Sequence, residues 1–214
     1  MPTVYGVSLS PFVRKVRVCL AEKGIAYDLS PVMPGPNAPE EFKSISPLGK
    51  IPAFRDGERT LADSSVICAY LDRVHPTPPL YPSDPYEWAR ALWFEEYGDS
   101  GLAPVFGAKI FFQRVIGPRF FNQPTDEAVL AQGIAELACI FDYLEGQVSG
   151  RQFLVGGALT IADIGVATQF ANLVHAQVSV DASRWPALAA YVGRILARPS
   201  FAALRTEEAA MIGS

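Results

Sequence analysis

The chain has 214 residues, half of them hydrophobic and 19% charged, which suits one large or two small folded domains and excludes a disordered chain. Its formal net charge of −4 argues against nucleic acid or an anionic membrane surface as a partner. No apolar run approaches the ~20 residues that span a bilayer, and the first residues lack the features of a secretion signal. The chain has two histidines and three cysteines, with no Cys-x-x-Cys pair. This composition argues against a metal site and predicts a reducing, cytoplasmic location.

Prolines divide the chain into two domains. Five of them lie between Pro76 and Pro85, a density that is incompatible with a helix and typical of a stiff linker. The charge also changes here, since residues 1–80 carry nine Lys or Arg against eight Asp or Glu, whereas the rest of the chain carries nine against fourteen. We predict a first domain over residues 1–76, a linker over 77–85 and a second domain over 86–214.

The first domain alternates strand and helix signals. In chain order, the predicted elements are a strand over 3–7, a helix from Ser10-Pro11 to Gly24, a strand over 25–32, a hairpin around Asp56-Gly57 and a helix from Asp63-Ser64. A serine followed by proline is typical of a helix start, and Asp-Gly between two short strands is a strong hairpin signal. This order predicts a small sheet, part parallel and part antiparallel, that is covered by helices.

The second domain carries only helix signals. In chain order, the predicted helices are a long amphipathic segment over 86–115, a helix from Thr125-Asp126 to Gly150, a helix from Thr160 to Val178 and a helix between Trp185-Pro186 and Arg198-Pro199. The sequence from Thr160 to Asp163 resembles a capping box with Asp in place of the usual Glu. We assign that box to folding of the domain, not to catalysis.

Five stretches of the chain follow one another in the order of a known family. They are SPFVRKV from Ser10, SPLGKIPAF from Ser46, DSSVI from Asp63, LTIAD from Leu159, and WPAL from Trp185 with ARPSF from Ala197. Together with the proline linker they cover nearly the whole chain and resemble the serine-type cytosolic glutathione S-transferases, with a first turn similar to the tau and phi groups. The resemblance implies an α/β thioredoxin-like N-terminal domain, an all-α C-terminal helical domain and a homodimer.

Ser10 is the candidate catalytic residue. Its local role is an N-cap, but a helix N-terminus also favours an anion, and a hydroxyl there can donate a hydrogen bond to a thiolate. One charge-assisted hydrogen bond is worth roughly 1.5–3 kcal/mol, enough to lower a thiol pKa of ~8.5 by about one to two units. By resemblance Ser10 stabilises the glutathione thiolate. Ser8 is the alternative candidate for this role. Tyr5 is less suited to it because it falls within the predicted strand.

Glutathione itself is assigned to two further segments by the resemblance. Ile51 would precede a cis Pro52 and pair its main chain with the cysteinyl part, while Lys50 would lie near the glycine carboxylate. Ser64 would hold the γ-glutamyl carboxylate and Asp63 the α-amino group, although the family more often has Glu or Gln at the latter position. Read locally, Lys50 is a solvated turn lysine and Asp63-Ser64 are helix-capping residues.

Aromatic residues at the end of the long helical segment are candidates for the electrophile site. By resemblance Phe106, Phe111 and Phe112 would face an apolar co-substrate together with Leu9 and Phe12. An aromatic stripe at helical spacing is more often part of a core, so that alternative stays open.

The predicted function is a glutathione transferase that adds the glutathione thiolate to apolar electrophilic small molecules, with glutathione as co-substrate and no metal. One alternative is glutathione-dependent peroxide reduction, dehalogenation or ether cleavage at the same site. Another is a non-catalytic member of the family that binds apolar ligands or assembles partners. A disulfide reductase is disfavoured because residues 8–12 contain no cysteine.

Overall fold

The computed structural model describes residues 1–35 and 37–213. It divides into two units, Met1–Tyr81 and the chain from Pro82 onward, which we describe one at a time. The first contains one four-stranded sheet of β1 (Thr3–Tyr5), β2 (Asp28–Ser30), β3 (Ala53–Asp56) and β4 (Arg59–Ala62) in the order β2-β1-β3-β4. β1 is parallel to β2 and antiparallel to β3, and β3 and β4 form an antiparallel hairpin, so the mixed sheet is as the sequence predicts.

The described residues of the first unit form three helices, α1 (Pro11–Glu22), α2 (Glu40–Ile45) and α3 (Ser64–Val74). α1 and α3 begin where their capping residues predict. The sequence analysis missed α2, which has only six residues and follows a proline. Its two buried residues, Phe42 and Ile45, join the same apolar cluster as Tyr5 and Ala53. Burial rather than a local signal therefore accounts for α2.

The second unit is helical, as predicted. Its elements are α4 (Pro85–Glu96), a π-helix (Tyr97–Ile116), α5 (Gly117–Phe120), α6 (Glu127–Val148), α7 (Ile161–His175), α8 (Pro186–Leu196) and α9 (Pro199–Ile212). The long predicted segment over 86–115 is continuous but changes its winding at Tyr97. Pro104 lies inside the wider part, and its ring nitrogen has no hydrogen to donate to a helical carbonyl.

α7 is the central helix of this unit, with every residue from Ile161 to Leu173 buried. The π-helix approaches α7 closely at Gly98, because a Cβ on Gly98 would lie 2.6 Å from the carbonyl oxygen of Gly165. The Phe170 ring packs edge-on against Phe106 with centroids 5.2 Å apart. No helix among residues 1–35 and 37–213 has the length and apolar character required to cross a bilayer.

The start of α7 forms a closed hydrogen-bonded box. The fully buried Asp163 carboxylate accepts hydrogen bonds from the Thr160 N–H and the Leu154 N–H, both at 2.9 Å, and from the Tyr191 hydroxyl at 2.9 Å. The Thr160 hydroxyl donates a fourth, longer hydrogen bond at 3.4 Å. Burial raises the pKa of the Asp163 carboxyl, and these four hydrogen bonds oppose the rise. The predicted capping box is present, and its polar groups are fully used within the fold.

Candidate active site

Three segments that carry the predicted site residues meet at one edge of the sheet. The register pairs Tyr5 at the end of β1 with Ala53 at the start of β3, and Ala53 with Ala62 at the end of β4. Neighbouring strands lie about 4.8 Å apart. The turn after β1, the residues before β3 and the residues after β4 therefore lie side by side, although more than 50 residues separate Ser10 from Asp63 in the chain.

Gly6 allows the first two of these segments to come into contact. Its φ is +148°, and a Cβ at this position would lie 2.5 Å from Cγ2 of Val13 and 3.2 Å from Cβ of Ile51. A side chain would separate the β1–α1 turn from the Ile51-Pro52 segment. The sequence analysis did not single out Gly6, whose only sequence signal is a glycine directly after a strand.

Ser10 lies at the end of this turn and is half-buried. Its backbone is extended, with φ −72° and ψ 126°, and its Oγ accepts a hydrogen bond of 3.4 Å from the Val13 N–H. A hydroxyl that accepts still carries one hydrogen to donate. The first turn of α1, all of it described, has no acidic side chain, so nothing within that turn opposes an anion at the helix N-terminus.

Ser8 and Tyr5, the alternatives to Ser10 as catalytic residue, lie in different environments. The Ser8 side chain is buried, and its Oγ accepts a hydrogen bond of 3.0 Å from the Arg17 guanidinium, which also donates to the Tyr27 hydroxyl. Tyr5 lies in β1, as expected, and its ring packs in the apolar cluster below Arg55. Both environments favour Ser10 over Ser8 and Tyr5.

The segment before β3 carries Lys50, Ile51 and Pro52. The Ile51–Pro52 peptide bond is cis. The Lys50 side chain is exposed, while its carbonyl oxygen accepts a hydrogen bond of 2.7 Å from the Ser46 hydroxyl. The turn is thus anchored through the Lys50 main chain, and the ammonium group is left to solvent.

Asp63 and Ser64 open α3 after β4. Oδ1 of Asp63 accepts from the Ser65 N–H at 2.9 Å and the Val66 N–H at 3.2 Å, with Asp63 itself at a φ of +77°. Ser64 is buried in the first turn. The buried Lys15 of α1 donates to the Ser65 hydroxyl at 2.9 Å, so a positive charge lies beside the start of α3. This Lys15 contact spans 50 residues and has no sequence signal.

The part of the chain that the structure describes contains no cluster of three His, Cys, Asp or Glu residues placed to hold a metal ion.

Comparison with known proteins supports one family. Family models of the glutathione S-transferase N-terminal and C-terminal domains match residues 4–79 and 106–199. Glutathione S-transferase 4 of Zea mays is 30% identical over 87% of this chain and 87% of its own length. A glutathione S-transferase of Hyoscyamus muticus is 29% identical over 92% and 94%. The chain belongs to the glutathione S-transferase family. A solved glutathione S-transferase from Rhodospirillum rubrum F11 superposes with a TM-score of 0.87, at 26% identity over 95% of this chain and 91% of that one.

For this glutathione S-transferase, the predicted family, fold class and enzyme class are confirmed. The residue assignments within the site remain predictions. Of the two electrophile candidates in the first unit, Leu9 is buried and Phe12 is half-buried directly after the Ser10 turn.

The three electrophile candidates of the helical unit differ among themselves. Phe106 is fully buried, edge-on to both Phe141 and Phe170, which is a core position. Phe111 is buried, and Phe112 is partly exposed. Their contact with an electrophile is untested, and of the three Phe112 has the most accessible surface.

Proposed function

We propose that this transferase attacks apolar electrophiles with a glutathione thiolate that the Ser10 hydroxyl stabilises. The observation that carries the proposal is the hydrogen bonding of the Ser10 hydroxyl. Its oxygen caps α1 by accepting a hydrogen bond of 3.4 Å from the Val13 N–H, and its hydrogen is available to a thiolate at the open helix N-terminus. Capping and catalysis therefore use different parts of one group. No general base is required, because a charge-assisted hydrogen bond and the helix dipole together supply about 2–4 kcal/mol.

The tripeptide is proposed to bind along the sheet edge. The cysteinyl part pairs with the main chain of Ile51 before Pro52, next to the Ser10 turn, and the exposed Lys50 ammonium meets the glycine carboxylate. This placement is supported by the close approach of Ile51 to Gly6. Glutathione carries a net negative charge, which the lysine complements.

The γ-glutamyl end is proposed to bind at the start of α3. Ser64 accommodates its carboxylate through the hydroxyl and N–H, at a helix N-terminus that favours an anion. Since Oδ1 of Asp63 takes both capping hydrogen bonds, we assign Oδ2 to the α-amino group. Oδ1 of Asp63 then caps α3, and Oδ2 binds the α-amino group. Aspartate can perform both roles although its side chain is shorter than the family's usual Glu.

The family resemblance also supports an apolar electrophile site and a two-domain homodimer. The electrophile contacts Leu9, Phe12, Phe111 and Phe112, whereas the fully buried Phe106, also a candidate from the sequence, is left to the core. Residues 77–85 act as a linker between domains 1–76 and 86–214, and the protein is a cytoplasmic homodimer. Light scattering at micromolar concentration is expected to report twice the chain mass of 23.2 kDa. A mass equal to that of one chain would contradict the dimer.

Binding and turnover are tested separately. The purified protein should be retained on immobilised glutathione at neutral pH and released by free glutathione, whereas a Ser64→Ala variant with unchanged circular dichroism should be retained less. A folded wild-type protein that does not bind would overturn the proposal. A panel of apolar electrophiles, hydroperoxides and haloalkanes, each assayed with glutathione, then identifies the chemistry. Binding without turnover of any of them would support the non-catalytic alternative.

A further inference from the structure

The turn that ends at Ser10 is closed by a hydrogen bond within the main chain. The Ser10 N–H donates to the carbonyl oxygen of Val7 at 3.1 Å, which makes Ser8 and Leu9 the two central residues of a β-turn. Both central residues are buried, with exposed fractions of 4% and 6%. Because only Leu9 separates Ser8 from Ser10, the position of the Ser10 hydroxyl depends on how the middle of this turn is held.

Arg17 of α1 holds the middle of the turn through the Ser8 side chain. Its Nη1 donates a hydrogen bond of 3.0 Å to Ser8 Oγ, and both residues are buried. Arg17 lies in the second turn of α1, and helical side chains point toward the helix N-terminus, so the guanidinium reaches back to the turn before the helix. Hydrogen bonds from an ionised donor are stronger than those between neutral groups. The contact therefore fixes Ser8 against the body of α1.

The Arg17 guanidinium is also held by a second hydroxyl. Its Nε donates a hydrogen bond of 2.6 Å to the hydroxyl of Tyr27, the residue directly before β2. The guanidinium is planar and its N–H groups have fixed directions, so the two hydroxyls together determine where it lies. Arg17 thus connects the turn before α1 with the chain that leads into β2, a connection that no local sequence pattern marks.

We propose that Arg17 is a positioning residue for formation of the glutathione thiolate and acts through its contact with Ser8. The inference rests on the proposed function, in which the Ser10 hydroxyl donates a hydrogen bond to the glutathione sulfur. Such a bond weakens steeply when donor and acceptor move out of line, and a displacement of about 1 Å can lower a rate by about a hundredfold. By holding Ser8, Arg17 keeps the Ser10 hydroxyl in the position that the sulfur requires.

The thiol pKa of bound glutathione, measured by ultraviolet absorbance at saturating glutathione, tests this role. Ser8→Ala removes the contact but keeps the charge of Arg17. It should raise the thiol pKa by about half a unit to one unit and lower kcat near pH 6.5 by about three- to tenfold, with the KM for glutathione changed by less than about twofold. Arg17→Met should have at least the same effect. Ser10→Ala, which removes the donor itself, should raise the thiol pKa more than Ser8→Ala does.

Tyr27→Phe is the matched control, because it removes the other hydroxyl from the same guanidinium and leaves the Ser8 contact in place. It should lower the midpoint of chemical denaturation but leave the thiol pKa unchanged. An equal rise of the thiol pKa in Tyr27→Phe, or an unchanged thiol pKa in Ser8→Ala, would overturn the inference while a raised value in Ser10→Ala still supported the proposed function. An unchanged thiol pKa in Ser10→Ala would overturn both. Ser8→Ala removes a single oxygen atom, so it decides the question even if Arg17→Met does not fold.

Discussion

Two helices in this protein begin with the same kind of capping residue, but the two helix starts have different roles. α1 begins after Ser10 and α7 after Thr160, both hydroxyl residues in extended backbone. Thr160 is buried, and the Asp163 carboxylate at this helix start accepts four hydrogen bonds from within the fold. Ser10 is half-buried, accepts one long hydrogen bond, and has no acidic residue in the turn that follows.

The comparison shows that a capping motif does not by itself define a role. At α7 an internal carboxylate accepts the N–H of the cap residue and further donors of the fold, so this helix start contributes to stability. At α1 the helix N-terminus can still bind an external anion, so it can contribute to catalysis. The difference comes from what surrounds each cap, and it can be tested by disturbing one start at a time.

The largest effect is expected from Asp163→Ala. Four buried donor groups would lose their acceptor, which should lower the free energy of unfolding by about 3–5 kcal/mol. Chemical denaturation monitored by circular dichroism measures it. Asp126→Ala is the control, because Asp126 caps α6 through two N–H groups but is exposed. Asp126→Ala should lower the free energy of unfolding by only about 1 kcal/mol. An equal loss of stability in both variants would contradict the role given to the buried hydrogen bonds of Asp163.

Gly6→Ala should come next, with an effect on both stability and activity. Backbone strain at positive φ costs about 1–3 kcal/mol, and the overlap with Val13 and Ile51 adds to it. We expect an unfolding free energy lower by about 2–4 kcal/mol and weaker glutathione binding. Gly35→Ala isolates the strain better than a left-handed helical glycine would, since Gly35 has φ +119° but no atom within 4 Å of a Cβ. Equal effects at the two glycines would show that the close approach is unimportant.

Ser10→Ala should reduce turnover while glutathione affinity is largely retained. Loss of one hydrogen bond to an anion predicts a rate about ten- to a hundredfold lower near pH 6.5. The deficit should narrow near pH 9, where a thiol with a pKa of ~8.5 ionises unaided. A pH profile of turnover with calorimetric glutathione affinity provides the measurement. If Ser8→Ala rather than Ser10→Ala showed this profile, the catalytic assignment would move to Ser8.

The smallest effect is expected from removal of the thiols. Cys19 and Cys68 are buried, Cys139 is exposed, and all three lie in helices outside the Ser10 turn. A folded triple Cys→Ala variant should keep transferase activity within about twofold, because buried cysteines act as small hydrophobic residues. Complete loss of activity in a folded variant would instead indicate a thiol mechanism.

The sequence predicts the features of this molecule that depend on neighbouring residues. Caps such as Ser10 and Asp63, and the Asp56-Gly57 turn, are set by interactions within a few residues, so the helix starts and the hairpin were predictable. Gly6 and Lys15 matter through atoms that are distant in the chain, and α2 forms because Phe42 and Ile45 are buried. No local pattern marks these features.

The central claim is that the Ser10 hydroxyl stabilises the glutathione thiolate, and the pKa of enzyme-bound glutathione tests it most directly. Ultraviolet absorbance of the thiolate, titrated with saturating glutathione, should give a thiol pKa about one to two units below the free value of ~8.5 in the wild type. In Ser10→Ala it should return most of the way to the free value, with glutathione still bound. An unchanged thiol pKa in the variant would contradict the account and leave Ser10 as a helix cap alone.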